Sequence, residues 1–322
     1  MANTTRTQIS AENQSFYDRN LLERVVPNFV HNRWAQVRDI PRNAGTNTIK
    51  FRRYSNLAAA TTALSEGITP VGSQLSSTEI TATVAQYGDF VTITDVLDYE
   101  SVDPVLMEAA EIQGDQAGDT LDQLTRDILA AGTSVRYSGS ATSRVTVSAV
   151  IDATVIKKSV RTLKNNKAKR IMRMIDPSTG YNTVPVNASF VGIVSPSTTY
   201  DLKALASTGW VPVEKYANKA DVMEGEVGAI DEVRFVETPN AKVFTGAGAA
   251  GVDVHATIIL GANAYGTTRV SGEAMRNIIK PLGSAGTADP LEQRATSGWK
   301  ATFVAKILNN DFMDRIECAV TA

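Results

Sequence analysis

Apolar and polar residues alternate in two stretches near the start of the chain, and a spacing of two is typical of β-strands. In residues 47–54, Ile49 and Phe51 alternate with basic residues, and residues 79–95 continue the alternation over a greater length. Gly88 interrupts the second stretch, and an isolated glycine inside a strand pattern indicates a bulge or a bend. We predict a two-stranded ribbon with an irregularity at Gly88.

The segment between these strands, residues 55–78, is rich in Ala, Ser, Thr and Gly, and Glu66 is its only charged residue. A structureless loop of this length is uncommon inside a compact domain, and an isolated two-stranded ribbon is only marginally stable in water. We therefore expect the ribbon to project from the body of the protein and to be supported by a neighbouring molecule.

A long helix is predicted over residues 104–131. Asp103 is a favourable N-cap, Pro104 suits the first helical position, and Gly132 suits the end. At about 1.5 Å per residue the helix would measure about 42 Å. The residues of its predicted apolar stripe, at helical spacing, are Val105, Ala109, Ile112, Ala117, Leu121, Leu124 and Ile128.

The opposite face of this helix is acidic. Its carboxylates are Glu108, Glu111, Asp115, Asp119 and Asp122. Such a row is compatible with a catalytic or cation site, although a solvated or salt-bridged helix face is the commoner arrangement. Gly114 and Gly118 lie four residues apart on one face. Since each glycine destabilises a helix by about 1 kcal/mol relative to alanine, we expect a neighbouring backbone to approach closely there.

The rest of the pattern predicts an α+β fold. A basic amphipathic helix is expected from Asp152 to about Lys167, and its apolar face consists of Val155, Ile156, Val160 and Leu163. A further helix is expected at 197–206, and strands at 188–194, 228–237, 241–245, 252–260, 297–308 and 312–320. Residues 1–45 carry many large apolar side chains and predict an extended arm that lies on another surface.

Charge is segregated along a chain of 322 residues whose formal net charge is only −2. Residues 1–54 carry +5, residues 55–131 carry −12, residues 132–175 carry +9 and the remainder carries −4. These blocks can fold against each other in one chain, or they can meet across neighbouring copies, where charge complementarity fixes register. A basic cluster at 157–173 also allows a nucleic-acid-binding hypothesis, which the scarcity of interleaved aromatic residues weakens.

The composition argues against an enzyme. His31 and His255 are the only histidines and Cys318 is the only cysteine, whereas zinc sites need about three or four Cys or His ligands. Neither a Walker-type phosphate loop nor a Gly-x-Ser-x-Gly elbow occurs. We predict no cofactor and packing roles for both histidines; a carboxylate-only Mg²⁺ or Ca²⁺ site stays open. With no signal-peptide core and no membrane-length apolar run, no membrane contact is expected.

Gly246, Gly248 and Gly251 match the Gly-x-Gly-x-x-Gly pattern of dinucleotide-binding proteins, which leaves a nucleotide-dependent oxidoreductase as an alternative. That pattern works only where a helix follows the loop, because the helix N-terminus holds the pyrophosphate. Residues 252–260 instead alternate like a strand, so a β-hairpin is expected around these glycines.

The order of the predicted elements, together with several short motifs, resembles one known family. The motifs are 64–70 (LSEGITP), 86–90 (QYGDF), 225–228 (GEVG), 233–237 (VRFVE), 279–294 (IKPLGSAGTADPLEQR) and 298–300 (GWK). An arm, a projecting two-stranded loop, a long helix, a central α+β domain and terminal strands resemble the tailed-bacteriophage major capsid proteins with the Hong Kong ninety-seven-like fold. Within them, the chain resembles the family of the podophage N-four.

The resemblance implies a domain organisation. The implied segments are an N-terminal arm at 1–45, an extended loop at 46–100, a peripheral domain with the spine helix at 101–144, an axial domain at 145–275, and a return to the peripheral domain with the C-terminal strands at 276–322. Because 55–78 contains no lysine, we expect none of the Lys–Asn isopeptide links that some members of this fold form.

The resemblance also implies a structural role: a shell of hexamers and pentamers around double-stranded DNA in the virion, assembled in the bacterial host cytoplasm. The implied partners are further copies of the chain, a portal protein and a separate scaffolding protein, with no sequence-specific DNA binding. The alternative within this fold is the shell of a bacterial encapsulating compartment. The residues expected at contacts between copies are Phe16, Leu22, Phe29, Trp34, Arg42, Arg52, Arg53, Leu64, Glu66, Ile68, Pro70, Asp89, Glu108, Glu111, Asp115, Lys157, Lys158, Asp289, Glu292, Arg294 and Trp299.

Overall fold

The structure is a computed structural model. It describes residues 30–40, 46–55, 57–64, 66–67, 69, 71–100, 105–175, 183–216, 222–270, 275–284 and 289–321. Most of the predicted arm and the predicted N-terminal cap of the long helix, Asp103 and Pro104, lie outside the described residues.

The described residues form four α-helices and sixteen β-strands. The α-helices are α1 (Asp95–Glu100), α2 (Val105–Ala130), α3 (Ala153–Asn165) and α4 (Pro196–Lys203). The strands are β1 (Gln36–Ile40), β2 (Thr48–Tyr54), β3 (Ser77–Thr83), β4 (Ala85–Thr94), β5 (Val135–Tyr137), β6 (Ile171–Ile175), β7 (Thr183–Val194), β8 (Val211–Pro212), β9 (Glu226–Ile230), β10 (Val233–Glu237), β11 (Val243–Phe244), β12 (Val254–Leu260), β13 (Tyr265–Val270), β14 (Met275–Lys280), β15 (Arg294–Ile307) and β16 (Met313–Cys318).

The described strands form two main sheets and one ribbon. The five-stranded sheet has the order β1-β13-β15-β14, with β4 also paired to β15. The nine-stranded sheet has the order β5-β16-β12-β7-β10-β9-β8, with β11 on β12 and β6 on β7. The ribbon consists of β2 and β3 alone. The α+β fold class is confirmed.

Helix α2 packs along β15 of the five-stranded sheet. Ala117 and Leu121 form a buried cluster with Trp299 and Ala301. Gln113 Nε2 donates to the backbone carbonyl of Ser297, and the Ser297 hydroxyl donates to Gln113 Oε1, each at 2.8 Å. The long helix is therefore confirmed.

The predicted apolar stripe of α2 is wrong in one respect, because Ile112 is 63% exposed. The buried face instead includes Gln113, Gly114 and Gly118. The small glycines let the helix lie close to the sheet, and Gln113 bonds to the strand. A prediction of the buried face from hydrophobicity alone was therefore wrong at Ile112.

Helix α3 covers the nine-stranded sheet as its pattern predicted. Asp152 is the N-cap, and its side chain accepts a hydrogen bond from the Val155 amide at 2.8 Å. The four predicted apolar residues, Val155, Ile156, Val160 and Leu163, are all buried. They belong to one core cluster with Phe190 and Phe235 of the sheet.

The ribbon is confirmed only in its first half. Strands β2 and β3 pair from Thr48 opposite Thr83 to Tyr54 opposite Ser77, and Phe51 and Ala82 pack on Leu308 of the body. Strand β4 leaves the ribbon and joins β15. The prediction that 79–95 belongs wholly to the ribbon is therefore wrong beyond Thr83.

Gly88 marks a close approach between strands, and the predicted bulge is wrong. The β4–β15 register runs without interruption through Gly88 opposite Lys300. A Cβ at position 88 would lie 2.5 Å from the carbonyl oxygen of Trp299. The position has no room for a side chain because the neighbouring backbone fills the space.

We expect Gly88→Ala to lower the free energy of unfolding by about 1–3 kcal/mol, the usual effect of an atom forced into a packed site. Urea unfolding of unassembled subunits measures the change. Gly72→Ala is the matched control, because nothing lies within 4 Å of a Cβ there. If the two variants have the same free energy of unfolding, β4 and β15 can move apart at position 88 without a loss of stability, and the prediction is wrong.

One further boundary differs from the sequence predictions. The single strand predicted at 228–237 is the hairpin β9–β10, which turns at Asp231 with a φ of 56°. Strand β13 pairs in the five-stranded sheet and β16 in the nine-stranded sheet, and the domain boundary implied at 275/276 stays a prediction.

Candidate assembly surface

The loop that follows β2 exposes large apolar side chains. Between Ser55 and Ser76 the described residues form neither helix nor strand, and a hydrogen bond of 2.9 Å from the Ser55 amide to the Ser76 carbonyl closes its base. Leu64 is 77% exposed, Val71 99% and Leu75 71%. Three large apolar side chains exposed on one loop are more than a typical surface segment carries, and such exposure is common at interaction sites.

Strand β2 of the ribbon below this loop carries basic side chains, and Glu79 on β3 neutralises part of their charge. Glu79 accepts hydrogen bonds from Lys50 at 3.0 Å and from Arg52 at 3.2 Å. The bond from Lys50 is the main cause that holds the pKa of Glu79 below its usual range. Arg53 donates to Asn309 Oδ1 at 2.6 Å, so the ribbon is also held to the body by a polar contact.

The carboxylates on the acidic face of α2 differ in how deeply they are buried. Glu108 is exposed, Glu111 and Asp115 are half-buried, and Asp119 accepts a hydrogen bond from Asn240 at 2.9 Å. Asp122 is fully buried. Within the described ranges no group of three or more Asp, Glu, His or Cys could hold a metal ion, so the row does not form a cation site there.

Asp122 anchors the start of the described chain. The His31 amide donates to Asp122 Oδ1 at 2.7 Å, and His31 Nδ1 lies 2.7 Å from Oδ2. Thr125 donates to Asn32 Oδ1 at 2.7 Å, and the Tyr265 hydroxyl donates to the His31 carbonyl. Sequence reasoning treated His31 as a packing residue and missed its hydrogen bonds with Asp122, since nothing local connects positions 91 residues apart.

Three of the expected contact residues are buried within the single chain. These are Trp34, Asp289 and Trp299. Trp299 donates to Gln116 Oε1 at 3.1 Å, and Asp289 accepts from the Arg294 amide at 2.8 Å. Trp34 packs in a core cluster of the same chain, so these three side chains lie in the interior and the expectation that they form contacts between copies is wrong.

The other expected contact residues fall into two groups. Those outside the described residues are Phe16, Leu22, Phe29, Arg42, Ile68 and Pro70. Those with exposed or half-buried side chains are Arg52, Arg53, Leu64, Glu66, Asp89, Glu108, Glu111, Asp115, Lys157, Lys158, Glu292 and Arg294. Asp89 accepts a hydrogen bond from Gln116 at 2.6 Å, which is the main cause that lowers its pKa.

The basic cluster around α3 is not a uniform cationic face. Lys164 and Arg170 both bind Glu232, each at 2.6 Å, and these contacts lower the pKa of Glu232, with the Lys164 bond as the main cause. Lys157 and Lys158 stay exposed. Part of the cluster is therefore neutralised inside the chain, which weakens the nucleic-acid-binding hypothesis further.

The glycine-rich loop is a hairpin, as predicted. Val243 and Phe244 pair with His255 and Val254 in antiparallel register, and a short 3₁₀ turn over Ala249–Gly251 joins the two strands. No helix begins there, so the geometry of a dinucleotide site is missing and the oxidoreductase alternative loses its support.

His255 is a packing residue beside this hairpin. Its Nδ1 lies 2.8 Å from the Ser195 hydroxyl, and burial lowers the pKa of the imidazole. Ser195 is the N-cap of α4 and accepts a hydrogen bond from the Thr198 amide. The Ser–His contact therefore belongs to a helix cap.

A buried charge network that the sequence did not indicate connects α2 to the nine-stranded sheet. Arg315 on β16 donates to the carbonyl oxygens of Ala130 and Gly132 at the end of α2, and its Nε donates to Glu317 at 2.9 Å. Arg144 binds the same fully buried carboxylate at 2.7 and 2.8 Å. Strand alternation placed 312–320 in a sheet but carried no information about these partners.

Comparisons with known proteins agree with this architecture. Residues 123–280 match a family model described as phage capsid protein. The major capsid protein of Pseudomonas phage KPP21 is 28% identical over 173 residues, a match that covers 51% of this chain and 44% of that protein. This chain therefore matches less than half of that relative's length.

Two solved structures extend the likeness over the whole fold. The capsid of Ralstonia phage GP4 matches with a TM-score of 0.72 at 16% identity, covering 91% of this chain and 89% of that one. The SrpI encapsulin complex from Synechococcus elongatus PCC 7942 matches with a TM-score of 0.56 at 5% identity, covering 89% and 86%. No helix among the residues that the structure describes is long and apolar enough to cross a membrane. The chain is therefore similar to phage capsid proteins over residues 123–280, and its fold is the Hong Kong ninety-seven-like fold of the phage capsid structures.

Proposed function

We propose that this chain self-assembles into hexamers and pentamers that form the icosahedral shell around the double-stranded DNA of a tailed phage. The observation that carries the proposal is the loop between Ser55 and Ser76, whose large apolar side chains no part of the described chain covers. In an icosahedral shell every subunit has neighbours, so a second copy of the chain can cover the exposed side chains of each loop. Each contact is heterologous, and such contacts close into rings when the rotation between copies allows it.

The shell derives its stability from many weak contacts. An exposed ion pair contributes about 0.2–1 kcal/mol, but each subunit makes several contacts with several neighbours, and linked contacts add up to a much stronger assembly. A loop with few internal hydrogen bonds tolerates the small change of angle between a fivefold and a sixfold position. One sequence can therefore occupy both environments.

We further propose the partners and location that this role requires. They are a portal protein, a separate scaffolding protein, encapsidated DNA bound without sequence specificity, and a virion assembled in the host cytoplasm. The role is structural, and the family match and the fold support it. The likeness to an encapsulin supports a second candidate, a bacterial compartment shell that encloses a protein cargo.

Negative-stain microscopy of the purified chain, alone and with a scaffolding protein, tests the proposal. We expect closed shells or rings of five and six subunits. On a denaturing gel the shells should dissociate to 34.5 kDa monomers, because residues 55–78 offer no lysine for an isopeptide bond. A chain that stays monomeric at every concentration and salt would contradict the proposal, and shells that copurify with an enzyme rather than DNA would favour the compartment.

A further inference from the structure

Strands β4, β15 and β14 form a surface that faces away from α2, and we call it the open face. Directly opposite residues of paired strands share a face, and successive residues alternate between faces. Trp299 and Ala301 pack against α2, so Gly298 and Lys300 lie on the open face. The pairing places Phe90 opposite Gly298 and Gly88 opposite Lys300.

The open face is cationic. Its charged residues are Arg276, Lys280, Arg294 and Lys300, and all four are exposed. The one acid in these strands is Asp89, which belongs to the other face and accepts a hydrogen bond from Gln116 of α2. Four cations without a carboxylate among them make this surface complementary to a polyanion.

Two of these cations lack a neutralising partner among the described residues. Asp289 lies 3.8 Å from Arg294, but none of the described residues supplies an ion pair to Lys280 or Lys300. Both lysines are exposed, so their ammonium groups can contact a ligand without first breaking a bond within the chain.

A depression lies in the centre of the open face. Its volume is about 440 Å³, and sites for small ligands measure about 300–1,000 Å³. Gly88 and Gly298 line it without side chains, and a Cβ at position 298 would lie 2.9 Å from the Cβ of Phe90. Phe90 also lines the depression and is 68% exposed. An uncovered aromatic ring therefore stands beside bare main chain.

Two motifs of the sequence that the shell function leaves unexplained meet at this depression. The motif QYGDF, residues 86–90, pairs with the motif GWK, residues 298–300. Every residue of both motifs lines the depression. Their glycines provide its floor, Phe90 provides the ring, and Lys300 provides a charge at its rim.

Cations flank the depression at both ends. Arg276 lies opposite Lys300, two residues from Gly298 in the direction of the chain. Lys280 lies opposite Thr296, two residues from Gly298 in the other direction. Two residues of a strand span about 7 Å. A planar group placed against Phe90 thus has a cation on each side, as a nucleotide base has a phosphate on each side in a strand.

We propose that the open face binds single-stranded nucleic acid, with one base stacked on Phe90 and the adjacent phosphates held by Lys280 and Lys300. Exposed aromatic rings within a cationic surface bind single strands in this way, without sequence preference. A duplex already stacks its bases inside and has none to offer to Phe90. The site goes beyond the proposed shell function, whose DNA is double-stranded.

Binding of a labelled oligothymidylate of about 12 nucleotides to unassembled subunits, measured by fluorescence anisotropy, tests the stacking. Phe90→Ala should weaken this binding about tenfold, the usual loss of one stacked base, and leave binding of a duplex of the same length unchanged. Phe90→Tyr keeps a ring and should bind like the unaltered chain. Tyr200→Ala is the matched control, because Tyr200 is an aromatic residue of α4 that is 70% exposed.

The salt dependence of the same binding tests the phosphate contacts. Each phosphate contact to a single strand contributes about 0.7 to the slope of log affinity against log salt concentration. Lys280→Gln with Lys300→Gln should therefore lower the slope by about 1.4. Lys157→Gln with Lys158→Gln removes the same charge from exposed positions on α3 and should leave the slope unchanged.

Each result supports or overturns the site. Equal affinity for single strand and duplex, or unchanged single-strand affinity in Phe90→Ala with an unchanged urea midpoint, overturns it. A slope that falls in the α3 variant and not in the open-face variant also overturns it. Normal shells from a chain that does not bind the oligothymidylate overturn the site and leave the shell function standing. Subunits that bind as expected but form no shell support the site and contradict the shell function.

Discussion

Replacing Arg315 with methionine is expected to lower the free energy of unfolding by about 3–5 kcal/mol, the usual loss when one partner of a buried ion pair is removed. The guanidinium lies at the end of α2, where it donates to the carbonyls of Ala130 and Gly132. Carbonyls at a helix end have no partner within the helix, and a cation there also stabilises the helix dipole. Without Arg315 these carbonyls lose their donor, and the fully buried Glu317 keeps only Arg144.

Arg144→Met is the matched control for this prediction, because it removes a guanidinium from the same carboxylate. Arg144 is one-third exposed, and Arg315 would still neutralise Glu317, so we expect about 1–2 kcal/mol. Urea unfolding of unassembled subunits compares the two. The double change Arg315→Met with Glu317→Met should be less destabilised than the sum of its single changes, since it leaves no unpaired buried charge. If Arg315→Met lowers the free energy of unfolding no more than Arg144→Met does, the hydrogen bonds from Arg315 to the end of α2 contribute nothing to stability.

Asp122→Ala is expected to cost about 3 kcal/mol and to release the chain around His31 from α2. Both carboxylate oxygens serve His31, one for its amide and one for its ring. Both residues are fully buried, so water cannot replace the lost acceptor. The variant should also expose the His31 amide, and hydrogen exchange measures that effect at the amide itself.

Gln123→Ala is the control for the aspartate, because it is the next residue of the same helix and its side chain is exposed. Its stability should stay within about 0.5 kcal/mol of the unaltered chain. Asp122→Asn keeps an acceptor for the His31 amide, so its free energy of unfolding should lie between those of Asp122→Ala and Gln123→Ala. Unchanged protection of the His31 amide in Asp122→Ala would mean that other contacts hold this segment.

Local patterns predicted the elements well where one residue type decides the structure. The helix that Asp152 caps was found from its cap and its four apolar residues, and all four are buried. The hairpin around Gly248 was found because β-branched residues follow the glycines where a nucleotide site needs a helix. In each case the residues that carry the signal lie within about fifteen positions of one another, so short-range chemistry is sufficient to read them.

The errors share a long-range cause. Gly88 was interpreted from its own strand, but its reason is the Trp299 carbonyl, which the sequence does not place nearby. Ile112 was assigned to the buried face for its hydrophobicity, whereas Gln113 is buried because Ser297 bonds to it. For the assembly surface, sequence identified the uncovered loop and its single acid.

The position of β16, next to the edge strand β5 of the nine-stranded sheet, has a consequence for synthesis of the protein. This strand lies between β5 and β12 in the nine-stranded sheet, yet its residues are translated after every other strand of that sheet. A nascent chain therefore holds an open gap between two sheet edges until residues 313–318 leave the ribosome. Chains that stop short of that point lack the strand that carries Arg315, and we expect them to be unable to complete this sheet.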